Sequence, residues 1–146
     1  MKALPEHGKC YVCGGENPHS MGVRWFLDED GGISTEIVLT DSQQGPPGLA
    51  HGGASAALLD EAMGLSVWYA GHRVAAVNLN VSYHHPVPLG QNITVRGRVC
   101  GKEGKAVHTQ GEIRLPDGEV AVTASGVYVE APQLFARATQ WGRQEA

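Results

Sequence analysis

No stretch of the 146-residue sequence approaches the ~20 consecutive apolar residues that cross a bilayer, so a membrane-spanning helix is not expected. The opening MKALPEHGKC also lacks the long apolar segment of a secretory signal, which makes a cytoplasmic protein the expectation. An excess of basic charge is missing too. With 11 Lys and Arg against 15 Asp and Glu, the formal net charge of -4 offers no broad field for a polyanion, and nucleic acid is not an expected partner. Cysteine is sparse: there are 3, two of them at positions 10 and 13, and a disulfide framework is not expected. What remains is 42% hydrophobic and 18% charged, a globular composition, and the length suits one domain over 1–146 with a single core.

Residues 1–20 are rich in Gly, Pro, Asn, His and Cys without periodicity and read as an irregular lead-in. MGVRWFL and GISTEIVLT, separated by the turn-forming DEDGG, predict a hairpin. DSQQGPPGLA then has too much Gly and Pro for regular structure. From about Gly52 to Ala70 the residues are mostly Ala, Leu, Met, Val and Trp. Apolar positions lie all round, which predicts one helix of about five turns surrounded by the rest of the chain. Beyond Gly71 the period becomes two. In VAAVNLNVSYHH, Ala75, Val77, Leu79, Val81 and Tyr83 point one way and Asn78, Asn80, Ser82 and His84 the other, the pattern of a half-buried strand. Three more alternating runs follow at 93–100, 106–115 and 120–129, with Cys100 read as inert packing in the first. The tail from Pro132 has Leu134, Ala138 and Trp141 at the spacing of a short docked helix. The expected architecture is α+β, an antiparallel sheet of five to six strands curled around one long helix rich in small residues.

The helix carries the chemistry. GLAHGGASAALLDEAMG places His51, Gly52 and Gly53 at its start and two acids, Asp60 and Glu61, among Ala, Leu and Met in its middle. The first N–H groups of a helix lack intrahelical acceptors and carry the positive end of its dipole, so Gly52 can offer a donor with no side chain in the way. Read from the residues alone, HGG is first of all a loop and helix cap that needs small side chains. Asp60 and Glu61 are equally one acid reaching solvent and one paired with arginine. Adjacent helical residues point about 100° apart, so the two acids do not share a role by being neighbours.

HGG followed by LLDEAMG, with the acid nine positions after the histidine, and then an alternating strand ending in HHPVPLG, resembles the hotdog-fold acyl-CoA thioesterases. The likeness is to the branch related to phenylacetate-pathway and 4-hydroxybenzoyl-CoA enzymes. CYVCGGENPHSMGVRW is similar to the lead-in of many small bacterial members. The resemblance implies hydrolysis of a thioester to a carboxylic acid and coenzyme A, in a homodimer or a dimer of dimers. Coenzyme A enters only as part of the substrate, and the chemistry requires no cofactor. Carried over by residue, it implies that the Gly52 amide, with Gly53 beside it, polarises the carbonyl. Asp60 then acts as general base on water or as nucleophile, and Glu61 is the second choice. His51 either orients substrate or caps the helix. Some members hold the water with a hydroxyl or amide at two positions occupied here by Gly64 and Gly45; Gln44 or Ser66 substitutes only by a shift of register.

Cys10 and Cys13 have the spacing of half a zinc site, with His7 and His19 near in sequence, but no metal is expected. The stripe Asn78, Asn80 and Ser82 reads either as a solvated strand face or as contact with the pantetheine arm. For the phosphates of coenzyme A the candidate cations are Arg73, Arg96 and Arg98. The alternative function is a non-catalytic acyl-CoA-binding or sensor module on the same fold. One geometric point concerns assembly. Gly52 and Asp60 lie about 12 Å apart along a single helix, too far for both to meet one carbonyl group, so the expected site is shared between two chains.

Overall fold

The computed structural model describes residues 1–135. Seven antiparallel strands run in chain order as β1 (Lys2–Ala3), β2 (Phe26–Leu27), β3 (Ile33–Val38), β4 (Val74–Tyr83), β5 (Asn92–Glu103), β6 (Ala106–Arg114) and β7 (Val120–Glu130). They form one sheet in the order β1-β2-β3-β5-β6-β7-β4. Against it lies the 17-residue helix α1 (Gly52–Trp68), and a single turn of helix, α2 (Pro132–Phe135), follows the last strand. Of the expected tail helix, Leu134 is exposed, and Ala138 and Trp141 lie outside the described residues. Among the described residues no helix is long and apolar enough to cross a membrane.

The sheet holds the helix because one face of each strand is apolar and α1 is apolar all round. Leu58, Leu59, Ala62 and Met63 of α1 are buried with Ile93, Val95, Val107, Ile113 and Val122 of the strands. Contact is closest at Gly97, where a Cβ would stand 2.6 Å from the Ala62 carbonyl carbon and 2.6 Å from the Met63 nitrogen. The small residues of α1 and this glycine on β5 together let backbone approach backbone.

Four expectations are corrected. The sheet has seven strands rather than five or six, because β1 forms within the lead-in by pairing Lys2 with Leu27 and Ala3 with Phe26, a ladder too short to show a period. The first strand of the predicted hairpin shrinks to Phe26–Leu27, since residues before it bond to the lead-in instead, Met21 N–H to Tyr11 at 2.9 Å and Val23 N–H to Val12 at 3.0 Å. Strand β4 is not half-buried in this chain. It ends the sheet with β7 as its neighbour, a bulge between Ala76 and Asn78 breaks its register, and Val77, Leu79 and Tyr83 are 63%, 39% and 53% exposed. Cys100 is likewise exposed, turned out at the bulge between Val99 and Gly101.

Candidate functional site

Helix α1 starts where an extended residue hands over to it. His51 is the N-cap, and its Nδ1 accepts the Gly53 N–H at 2.8 Å, while its carbonyl accepts the Ala54 N–H at 2.9 Å. The cap therefore commits the amide of Gly53, one of the expected substrate contacts, to the histidine ring. The Gly52 N–H has no acceptor among the described residues, and the Gly52 carbonyl accepts the Tyr83 hydroxyl at 2.6 Å. Gly52 borders a cavity of about 360 Å³ together with Ser55, Tyr83, His84 and His85.

Asp60 lies two turns further on and opens into a different cavity, of about 420 Å³, lined also by Cys10, Glu61, Trp68, Ala76 and Tyr128. Its Oδ1 accepts the Tyr128 hydroxyl at 2.8 Å, and the same hydroxyl lies 2.9 Å from the Asp60 carbonyl. Asp60 Oδ2 has no hydrogen-bond partner among the described residues. Burial, with the neighbouring carboxylate second, holds the Tyr128 phenol above its ordinary pKa, so it stays a donor. Tyr128 is the residue that sequence reasoning missed. A Cβ at Gly64 would lie 3.4 Å from the Tyr128 ring, an ordinary contact. The other proposed water holders are engaged elsewhere. Buried Ser66 donates to the Met63 carbonyl at 2.6 Å, and Gln44 accepts the Gly48 N–H at 3.1 Å. At Gly45 a Cβ would sit 2.8 Å from the His51 Cα, so that position has no room for a side chain.

Glu61 turns away from Asp60's partner toward the lead-in. Its Oε1 accepts the Cys10 thiol at 2.7 Å and lies 3.7 Å from Cys13 Sγ, while Oε2 accepts the Trp25 indole N–H at 2.5 Å. Burial pushes its carboxyl up to about 8. Cys13 in turn lies 3.3 Å from His7 Nδ1.

The polar stripe is not brought to either cavity. Asn80 and Ser82 line a groove of about 510 Å³ with Arg96, Arg98, Gln110, Thr123 and Ser125, on the sheet face opposite α1, and Asn78 is exposed on the same strand. Arg96 is paired with Asp28 and Asp30, and Arg98 donates to Gln110 at 2.7 Å. Arg73 stacks over Trp68, 3.8 Å from the ring centroid, which places it beside the Asp60 cavity.

The family model of the thioesterase superfamily matches residues 47–122, just over half of the chain and all of α1. The chain belongs to the thioesterase superfamily. Its sheet and central helix are the hotdog fold of that superfamily. A solved thioesterase superfamily protein is 36% identical with a TM-score of 0.80, covering 82% of this chain and 62% of that one. A Streptococcus mutans protein solved bound to acetyl-CoA shares the fold, with a TM-score of 0.69 at 18% identity, covering 73% of this chain and 86% of that one. The acyl-coenzyme A thioesterase THEM4 of Xenopus laevis is 35% identical over 92 residues, 63% of this chain and 39% of the relative. This superfamily member thus spans about two-fifths of the curated relative it matches.

Proposed function

We propose that the protein hydrolyses acyl-CoA thioesters to a carboxylic acid and coenzyme A. The observation that carries this reading is a carboxylate, Asp60, opening into a cavity from a helix whose first amide, Gly52, is left without an acceptor among the described residues. In a thioester the carbonyl oxygen gains negative charge as a nucleophile adds. An N–H at a helix start is placed to stabilise that charge, and Asp60 either takes a proton from water or attacks the carbon itself. His51 is a positioning residue in this scheme: it occupies the next amide and so leaves Gly52 for the substrate. The reaction so written uses water, one acid and one amide and requires no cofactor. Curated relatives named as acyl-CoA thioesterases support the substrate class, and a protein of the same fold has been solved bound to acetyl-CoA.

Gly52 and Asp60 border different cavities in one chain, which supports a site completed by a second copy. The apolar residues Val77, Leu79 and Tyr83 on the edge strand β4 are the surface such a copy would cover. In an antiparallel pair of helices the start of one lies beside the middle of the other, giving two equivalent sites. The test is thiol release from a panel of acyl-CoAds of varied chain length and aromatic content, with the wild type and Asp60→Asn compared. Turnover by the wild type and its loss in the variant is the expected result. Tight binding of acyl-CoA without turnover would instead support the non-catalytic sensor module.

A further inference from the structure

We propose that His7, Cys10, Cys13 and Glu61 form a structural binding site for a zinc-type divalent cation, which ties the lead-in to the middle of α1. Sequence spacing offers the cysteine pair with His7 and His19 nearby; the fold selects His7 and adds the carboxylate, 51 residues from Cys10. Ligand atoms of His7, Cys13 and Glu61 lie within 4.8 Å of one another, the one such group among the described residues. A tetrahedral zinc with thiolate, imidazole and carboxylate ligands has ligand-to-ligand edges of about 3.3–3.8 Å. Cys13 Sγ lies 3.3 Å from His7 Nδ1 and 3.7 Å from Glu61 Oε1, inside that range. Cys10 Sγ stands outside that group of three, at hydrogen-bond distance, 2.7 Å, from Glu61 Oε1, and becomes the fourth ligand by a side-chain shift when its proton gives way to the cation.

The surroundings suit a ligand set. His7 and Cys13 are each 3% exposed. The Trp25 indole holds Glu61 Oε2, leaving Oε1 on the side of the thiols, as a partner of a ligating carboxylate does. The loop is wound tightly, with Cys10 N–H to His7 at 2.9 Å and Gly14 N–H to Cys10 at 2.9 Å, and a Cβ on Gly14 would stand 2.4 Å from the Cys10 nitrogen. Cys10 and Glu61 also line the Asp60 cavity, which gives the cation an entry path. Two thiolates with one imidazole and one carboxylate select zinc over calcium or magnesium. Binding releases the thiol protons and any proton held on Glu61 to solvent, and no electron changes hands.

The experiment uses the full chain, untagged and reduced. Elemental analysis should find stoichiometric zinc. After chelation, titration with Co²⁺ should produce a thiolate-to-cobalt charge-transfer band with tetrahedral d–d absorption. Cys13→Ser should lose much of that band, and Glu61→Gln should keep it with at least roughly tenfold weaker affinity. Zinc at a hundredfold excess over its Kd should raise the melting temperature of the wild type by roughly 5 °C or more. The wild-type titration stands even where a variant fails to fold. Absence of stoichiometric zinc together with absence of a thiolate–cobalt band in the reduced wild type overturns the proposal. So does a Cys10–Cys13 disulfide that takes up no metal after reduction, and so does cobalt affinity unchanged in Glu61→Gln.

Discussion

Asp60 and Glu61 are neighbours in the chain with opposite surroundings: Asp60 takes a hydroxyl from Tyr128 on β7, while Glu61 takes a thiol and an indole from the lead-in. Their roles should therefore separate on mutation. Asp60→Asn keeps the shape and removes proton acceptance, so thiol release from acyl-CoA should fall by roughly 10²–10⁴-fold with the far-ultraviolet spectrum unchanged. Glu61→Gln should cost far less in the same assay, and a dead Glu61 variant with a live Asp60→Asn would reverse the assignment. Tyr128→Phe removes a hydrogen bond to a carboxylate worth about 1.5–3 kcal/mol and should slow turnover by roughly 10–100-fold. The phenol is held above its ordinary pKa and does not ionise near neutrality, so the alkaline limb of the pH–rate profile should stay in place in Tyr128→Phe. An alkaline limb displaced in that variant would mean that Tyr128 itself gives up a proton. Asp60 could be singled out as a candidate in the sequence because an acid stands out on an apolar helix. Tyr128 was not, because it lies 68 residues away and its alternation in β7 says only which face it takes.

At the scale of elements, α1 depends on its cap at one end and on Gly97 across its middle. His51→Ala removes the acceptor of the Gly53 N–H and should cost about 1 kcal/mol in urea unfolding. Gly97→Ala drives a methyl into the backbone at Ala62 and Met63, which cannot retreat as a flexible side chain would. A loss of about 1–3 kcal/mol or more is expected in the same measurement, and a neutral result would show that helix and sheet are less closely docked. Helix α1 and strands β5 to β7 could be read from periodicity because each buries one side or all sides over many residues. The short strand β1 could not, since a two-residue ladder has no period and its formation depends on the chain start returning to Trp25 and Leu27, while the β2–β3 hairpin was read with its first strand too long. The Cys10–Cys13 spacing was visible, but its carboxylate neighbour on α1 was visible only in the fold.

The whole molecule, as a single chain, leaves apolar β4 residues in solvent and puts the amide and the acid in separate cavities. Both features follow from the proposed reading, in which the working unit would be a pair of chains with each site built from Gly52 of one and Asp60 of the other. The eight-residue spacing on one helix pointed to that proposal from the sequence; the exposure of β4 did not, because alternation says which residues share a face and not whether that face is covered. The most direct measurement is complementation between two inactive variants. Asp60→Asn removes the acid. Gly52→Pro removes the N–H at a first helical position where proline is tolerated, and His51 before it is extended at φ -63 and ψ 137, as a residue preceding proline prefers. Unfolded together and refolded as an equal mixture, half of the pairs carry one of each, and such a pair has both lesions in one site and an intact second site. The account predicts nearly inactive parents and a mixture that recovers about a quarter of wild-type turnover, confined to the mixed pairs isolated by differential tags. Mixed pairs that form and remain as inactive as their parents would contradict it.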